Sequence, residues 1–527
     1  MRAFERALEL RYMFVVTHSH RWVLVAGLAA CSAPNGQTVP MPDAGTAVDA
    51  STADGADGGV SAGPTQVAYD FGKWTIPAGG EQYPCTQWTL NNDEPLYVNA
   101  VVQANDGGWH HSNWYAVEDS KFEGPDGIVD CDERGFDERV GAVFGTVLFA
   151  QSTQAYVETQ RLPEGVVIKI PPRSKIMAGA HLINASTSPL ETGVRMGLEL
   201  VHPRDVETIA MPWRLDNSSL EIPAGAEVRF ETACTLDAQY EFKAKEPFAP
   251  KVFWVLPHYH ALGNYFRLDI LRPEGDETLF ELEGFNAEAN GITYNPPIDL
   301  AGSTGLRFSC GYHNTGPRPA TYGLAAEDEM CTMLLFTDAA QRLNTAVWEL
   351  SGVGTVDGIE TRYGDCSAIF LPTSADQSMP TEEEIAAPLY VPEGDAAVTV
   401  EVVPNCVDAP RDAEPDGPTT LESLRTDIFV PSCTYSSCHD TSSPAANLDF
   451  LADDLRAELL EHTMTTDVDM RLVAPGEPEN SWLYHVTSRC EPRTSNGVTS
   501  FMPRNSPTLL SAGKIARLRQ WIADGAR

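Results

Sequence analysis

The stretch Val255-Leu-Pro-His-Tyr-His-Ala-Leu-Gly-Asn-Tyr-Phe-Arg-Leu-Asp-Ile270 reads as a strand running into a turn and then a second strand. Side chains two apart on a strand share a face, so His258 and His260 are expected side by side on one wall of a sheet. The alternation of Phe266, Leu268 and Ile270 predicts packing of the following strand. A histidine on such a face is either an ordinary hydrogen-bonded core residue or a ligand, and only partners elsewhere in the chain separate the two.

Outward from this stretch the same texture continues. From about residue 67 to 408, short β-rich runs such as Ala226-Glu-Val-Arg-Phe-Glu-Thr-Ala233, Gly305-Leu-Arg-Phe-Ser-Cys310 and Cys331-Thr-Met-Leu-Leu-Phe-Thr337 alternate with Gly, Pro, Asn and Asp. Evenly spaced short strands with turn signals predict antiparallel sandwiches or jelly rolls. The length fits two in tandem, 67–218 and 219–408, because Asp216-Asn-Ser-Ser219 interrupts the pattern and Ile222-Pro-Ala-Gly225 restarts it. Residues 409–418 are acidic and Pro-containing and are expected to be a flexible linker. Beyond them, over 419–527, the period changes to helical: Thr419-x-x-Glu422 is a candidate capping box, and Ile515, Leu518, Trp521 and Ile522 share one helical face after Ser511. The fold class is therefore mainly β, two jelly-roll sandwiches followed by a small all-α domain.

The 527 residues include 36 basic and 74 acidic side chains, a formal charge of −38. Such a surface repels phosphate backbones, so nucleic acid is excluded as a partner. Near the N-terminus, Arg21 precedes the apolar run Trp22 to Ala30, which is too short to span a bilayer and has the length of a signal-peptide core. Leu28-Ala29-Ala30-Cys31 resembles a bacterial lipobox, which implies a leader over 1–31, cleavage before Cys31 and a lipid on its sulfur; an uncleaved anchor is the alternative. The long segment before it allows Met13 as the true start. Residues 32–66, rich in Ala, Gly, Asp, Pro, Thr and Ser, are expected to be a disordered tether. The expected location is the bacterial cell envelope, with the membrane touched only through the anchor on Cys31. Of 11 cysteines, the ten beyond Cys31 suit disulfides in an oxidising compartment, with 433, 438 and 490 needing separate treatment.

The unusual residues group around the opening pair. His110 and His111 are adjacent in Gly107-Gly-Trp-His-His-Ser-Asn-Trp114, His181 lies in Ala178-Gly-Ala-His-Leu-Ile-Asn184, and Met330 lies in Glu327-Asp-Glu-Met-Cys-Thr-Met333. Imidazoles suit copper, iron or zinc, and a thioether favours Cu(I), so a set of histidines plus a methionine points to copper.

The order His-His, His, His-x-His, Glu-Met-Cys resembles the copper type II, ascorbate-dependent monooxygenases, the family of dopamine β-monooxygenase and peptidylglycine α-hydroxylating monooxygenase. The likeness covers roughly 67–370 and includes Gly263 and the segment Cys310-Gly-Tyr-His-Asn-Thr315. It implies that His110, His111 and His181 bind one copper, an electron-storing site on the first jelly roll. It also implies that His258, His260 and Met330 bind the catalytic copper on the second, where dioxygen is activated for insertion into a substrate C–H bond. It further implies the pairs Cys85 with Cys131 and Cys310 with Cys331. Three positions depart from the family. Its peptide-hydroxylating members carry an Arg two residues before the His-x-His pair, a Tyr four after the Met and a Gln two before the third His, where this chain has Leu256, Leu334 and Gly179. A peptidylglycine substrate is not expected. His202 and His313 belong to neither set.

In the tail, Cys433-Thr-Tyr-Ser-Ser-Cys438-His439 is close to a c-type haem attachment signature, with four residues between the cysteines instead of two. Phe501-Met-Pro-Arg-Asn-Ser506 and Arg519-Gln-Trp-Ile-Ala-Asp-Gly-Ala526 are similar to the Met-Pro loop and last helix of small bacterial cytochrome c domains. That likeness implies one covalent haem c held by Cys433, Cys438 and His439, with Met502 as the distal ligand. The other reading is a haemless domain in which Cys433 or Cys438 is disulfide-bonded to Cys490; Met464, Met470, His462 and His485 are alternative ligands or helix-surface and core residues. The expected whole is an envelope lipoprotein acting as a monooxygenase on an unidentified small molecule. Dioxygen is the co-substrate, two copper ions are the cofactors, and an ascorbate-like reductant or a redox protein is the electron donor, acting through the tethered haem. A copper-binding electron-transfer lipoprotein that does not hydroxylate is the alternative, and a purely structural binding module is a third.

Overall fold

The computed structural model describes residues 65–527 apart from 139–140, 142–144, 152–155, 185–187, 284–290, 324–327, 373–376, 393–406, 435–437, 442, 465–468, 495–496, 499–500 and 505–508. The leader, Cys31 and nearly all of the tether lie outside the described residues; Thr65 and Gln66 already belong to the first strand, Thr65–Ile76. The chain is mainly β.

Two six-stranded sheets come first. One runs in the order Thr65–Ile76, Leu190–Leu200, Leu96–Asn105, Val166–Ile170, Thr208–Ile209, with Val157–Arg161 also on Leu96–Asn105. The other runs Gly127–Asp130, Pro84–Thr89, Ser174–Ile183, Trp109–Glu118, Thr146–Gln151, with Glu81–Gln82 beside Ser174–Ile183. Their inner faces share one core, in which Val98, Val101, Met196 and Leu198 of the first meet Trp88, Trp114, Ile176 and Leu182 of the second. This is the face-to-face packing that alternating strands require, one apolar side per sheet.

The chain then crosses into a ten-stranded sheet, whose order is Glu277–Glu283, Gly263–Leu271, Gly305–Asn314, Ala226–Thr235, Ile359–Pro372, Gln341–Val356, Met211–Asp216, Thr332–Thr337, Lys251–His258, Ile292–Asp299. Both halves contribute to one core: Trp213, Val255, Met333 and Leu335 from one, Phe230, Phe266, Leu268 and Phe308 from the other. The sheet therefore curls round its own side chains. Met211–Asp216 is already paired in this sheet, so the crossover falls at Ala210, ahead of the boundary expected at 218.

Alternation on Lys251–His258, reset by a β-bulge between Val252 and Trp254, decides how the two parts meet. Val252 and Val255 enter the second core, whereas Trp254 and Leu256, with Phe336 of the neighbouring strand, enter the core of the sandwich. After the last strand the chain returns to the sandwich, where Lys169 Nζ donates to the Ser378 carbonyl at 2.9 Å and the Tyr390 hydroxyl accepts from Asp93 N at 3.0 Å. Three disulfides brace the β region, Cys85–Cys131, Cys234–Cys366 and Cys310–Cys331.

The tail is built on a helical run over 421–433 with a π-helical turn at Arg425–Phe429, then helices Leu455–Glu461, Trp482–Ser488 and Ala512–Ala523 round Phe429, Trp482, Leu483, Trp521 and Ile522. Ser511 caps the last helix as expected, accepting from Lys514 N at 3.3 Å. At the first helix the cap is Thr420, one residue later than expected, because its hydroxyl accepts from Ser423 N at 3.3 Å. Segment 409–418, expected to be a flexible linker, is bound along the tail instead. Ala409 N donates to the Ser488 carbonyl, and the buried Arg517 guanidinium, at 4% exposure, reaches the Pro418 carbonyl and Asp416. A guanidinium taken out of water needs several acceptors, and this segment supplies them.

Candidate metal centre

Neighbouring side chains on a regular strand point to opposite faces, so His110 and His111 of Trp109–Glu118 would not ordinarily face one partner. A β-bulge removes the conflict. On Ser174–Ile183, His181 is opposite His111 but Leu182 is opposite Trp109, which leaves His110 as the extra residue. Such a bulge re-aims a side chain. The imidazole centroids of His110 and His111 each lie 4.9 Å from that of His181, and the three potential ligand nitrogens lie within 4.8 Å of one another. His181 is fixed from outside: Nε2 pairs with Glu81 Oε1 at 3.0 Å, and the Tyr83 ring stacks on it at 4.5 Å. Its Nδ1 is 3.2 Å from His111 Nε2.

The second pair differs from expectation. His258 is the last residue of its strand and His260 belongs to the turn that follows, so they are not successive residues of one wall. The buried carboxylate of Glu329 folds that turn, accepting from His260 N at 2.9 Å and Leu262 N at 2.7 Å. Gly263 closes it, since a Cβ there would sit 2.1 Å from the Tyr259 ring. The two imidazoles still come together, with centroids 5.2 Å apart. Met330 follows Glu329 directly, is 9% exposed, and is held by its own backbone: Tyr312 donates its hydroxyl to the Met330 carbonyl at 2.6 Å and Cys331 is tied to Cys310.

The two sets are not remote from each other. The His111 ring lies 6.1 Å from His260 and 6.3 Å from His258, so five imidazoles from two modules form one continuous cluster. Burial, and then repulsion among the imidazoles, holds His110 and His111 well below the ordinary histidine range. Burial and the neighbouring His260 bring His258 down to about 3, and burial brings His260 to about 4 against the opposing pull of the Asp328 carbonyl. These rings are neutral at physiological pH, the form that binds metal. His260 Nδ1 donates to the Asp328 carbonyl at 2.8 Å, which leaves Nε2 as the basic nitrogen, and that atom is buried with no hydrogen-bond partner among the described residues. A buried lone pair with no donor, among neutral imidazoles, fits a metal ligand better than a core histidine.

The tail lies against the sandwich. The Phe501 ring lies 6.3 Å from Tyr156, the Arg504 charge is felt by His110, and that of Glu81 by Cys438. Cys433 and Cys438 are free thiols, both pushed up to about 12 by burial, while Cys490 is disulfide-bonded. Neither is therefore bridged to Cys490, the pairing suggested with the haemless reading. His439 Nδ1 donates to the Ala445 carbonyl at 3.0 Å, and its ring meets Phe450 edge-on at 5.3 Å. Met502 packs on the tail core, its N–H bonded to the Val486 carbonyl at 2.7 Å. Met464 and Met470 pack on the same core. His485 Nε2 pairs with the Glu479 carbonyl at 2.8 Å.

Of the residues that complete the centre, Glu81 and Tyr83 carry no sequence signal, whereas Tyr312 and Glu329 lie inside the Cys310–Thr315 and Glu-Met-Cys segments that carried the resemblance. A further group lies beside it. Asn113 and Gly179, each two residues from a triad histidine and opposite one another, make room for Glu138, whose Oε2 accepts from Asn113 Nδ2 at 2.9 Å. A Cβ at 179 would meet Glu138 Oε1 at 2.2 Å. On the other module Arg214 Nη2 donates to Asp216 Oδ1 at 2.8 Å and lies 3.2 Å from the Tyr322 hydroxyl.

No protein-family model matches the chain, and no curated protein matches it. Among solved structures it is similar to the major capsid protein P2 of bacteriophage PM2, at 7% identity over 55% of this chain and 100% of that one, with a TM-score of 0.23. It is also similar to a protein of the triple jelly roll and turret assembly of an archaeal virus, at 9% identity over 50% and 58% of the two chains, with a TM-score of 0.16. Likenesses this faint carry no argument about activity.

Proposed function

We propose that the chain is a copper-dependent monooxygenase resembling the ascorbate-dependent type II family, built on two jelly-roll modules with a cytochrome c-like tail, and exported as a lipoprotein anchored at Cys31. One observation carries the reading: five imidazoles from two modules converge, and His260 Nε2 has no hydrogen-bond partner among the described residues. His110, His111 and His181 would hold one copper, and His258, His260 and Met330 the other. Copper bound there would supply one-electron redox chemistry and activation of dioxygen for insertion of one oxygen atom into a C–H bond. The chain's own contribution is positioning. Glu81 and the Asp328 carbonyl orient His181 and His260, Glu329 holds the turn, and the Cys310–Cys331 bridge with Tyr312 sets Met330. The interface core of Trp254, Leu256 and Phe336 keeps water from one side.

In the tail, Cys433 and Cys438 would hold a covalent haem with His439 and Met502 as its ligands; two free thiols five residues apart, followed by a histidine whose Nδ1 is already committed, support this. The charge of Arg504 at His110, and of Glu81 at Cys438, supports the tail as the side from which electrons enter.

The rival reading, a copper protein that does not hydroxylate, draws on Leu256, which is 3% exposed and packed into the sandwich core where the family's clamp would stand. Metal and haem analysis of the full chain tests the main reading, with two coppers and one haem per chain expected. Fewer than one copper retained after reconstitution with excess Cu(II) and dialysis overturns it. Dioxygen uptake with ascorbate across amines, amides and phenols separates it from the rival.

A further inference from the structure

Residues opposite one another on paired strands share a face, and rows along a strand repeat every two residues, about 7 Å apart. On Met211–Asp216, Thr332–Thr337 and Lys251–His258, one row is Asp216, Thr332 and His258, and the next is Arg214, Leu334 and Leu256. On the facing sandwich wall one row is His111 and His181, and the next is Asn113 and Gly179, filled by Glu138. His111 and His258 stand 6.3 Å apart across the gap, so the metal rows face each other. The rows beside them place Glu138 towards Arg214, each within reach of the other's charge. Arg342 Nη1 donates across the same interface to the Gly145 carbonyl at 2.7 Å.

Neither group is used up. Glu138 Oε2 is taken by Asn113, and Oε1 has no hydrogen-bond partner among the described residues. Arg214 spends Nη2 on Asp216 and Tyr322, and its side chain keeps 32% exposure. One row from the candidate metal ligands, the facing walls thus present a carboxylate oxygen and guanidinium N–H groups that have no hydrogen-bond partner among the described residues, beside Leu334 and Leu256.

Resting on the copper reading above, we infer that Glu138 and Arg214 form the head-group site of the substrate and select a neutral group that both donates and accepts hydrogen bonds, of the carboxamide type. Arg214 donates to its carbonyl oxygen and Glu138 accepts its N–H. A carboxylate pairs with Arg214 but leaves Glu138 facing a like charge, and an ammonium pairs with Glu138 but leaves Arg214 facing one, so only a neutral group that both donates and accepts satisfies both walls without repulsion. The reacting carbon of such a substrate lies about one sheet row, roughly 7 Å, from the head group.

Titration calorimetry at pH 8 on the full chain, metal-free and copper-loaded, with 3-phenylpropanamide, 3-phenylpropanoate and 3-phenylpropylammonium tests this. The amide is expected to bind about tenfold more tightly than either charged probe. Glu138→Gln is expected to bring the carboxylate up to the amide, and Arg214→Gln to do the same for the ammonium. Glu138→Gln is nearly isosteric and decides the matter alone if Arg214→Gln unfolds. Equal affinities, tighter binding of a charged probe, no binding of the amide, or a ranking unchanged by Glu138→Gln overturns the inference. Copper analysis of the same samples separates the two readings. Two coppers without amide preference removes only the head-group site, and amide preference without copper removes only the monooxygenase.

Discussion

The two halves of the candidate centre assemble similar ligands by different means. On the sandwich, the strand ladder does the work: His111 and His181 are direct neighbours in the register, and a one-residue bulge turns His110 to the same side. On the ten-stranded sheet, only His258 is on a strand, and a side chain, Glu329, builds the rest by binding two turn amides. A ladder spreads the cost of holding a ligand over many backbone hydrogen bonds, whereas a single buried carboxylate concentrates it. The first half is therefore the more robust to single substitutions, and the second is the one that a point change can dismantle.

The largest expected effect follows directly. Glu329 is 1% exposed, and burial outweighs its amide donors to lift its pKa to about 8. Glu329→Ala strands two buried N–H groups and is expected to cost on the order of 3–5 kcal/mol. Urea unfolding and copper analysis of one preparation should show that loss together with one copper missing and the triad's copper kept. Retention of both coppers would remove the asymmetry between the halves. Next comes the brace on Met330: replacing Cys310 and Cys331 together by serine is expected to cost about 2–4 kcal/mol. The same measurements check it, with the deficit again confined to the second site.

A smaller effect lies between the halves. Burial raises the pKa of Glu138 from the ordinary carboxyl value to about 7, so the folded state holds that proton more tightly than the unfolded chain does. The associated stability is present at low pH and is lost as pH rises from the ordinary carboxyl range through 7, an effect of order 2 kcal/mol. Unfolding midpoints measured from pH 4 to pH 8 should show this fall in the parent protein and lose it in Glu138→Gln. The smallest effect sharpens the account of the triad. Glu81→Gln keeps an acceptor for His181 but removes the charge, and is expected to weaken triad metal binding about tenfold, read by competition with a chelator. A loss comparable to that of Glu329→Ala would show that the ladder is not what holds the first half.

Much of this was legible in the chain itself. Short alternating runs such as Ala226 to Ala233 and Cys331 to Thr337 announced strands, because burial of one face writes a period of two into sequence. The helical face of Ile515, Leu518, Trp521 and Ile522 announced the last helix in the same way. The histidines stood out because imidazoles are rare on apolar strands, and Met330 because its thioether sits in the Glu-Met-Cys segment that carried the resemblance. The turn at His260 was not legible, since alternation cannot register a carboxylate sixty-nine residues away that captures two amides. Nor was the fate of segment 409–418, whose polar composition suits a linker and equally suits the acceptors that the buried Arg517 demands.

Residue type and local period thus determined by themselves that the chain is mainly β, where several of its strands run, that its end is helical and which side chains are candidates for metal. Only the tertiary structure decided that Cys234 pairs with Cys366, that Cys490 leaves Cys433 and Cys438 free, that a bulge aims His110, and that the two histidine sets meet with 6.1 Å between His111 and His260. The reason is physical. Periodicity records which face of an element is buried, an average over neighbours close in sequence. Which other element buries it, and so which polar groups arrive with that element, depends on packing between residues far apart in the chain.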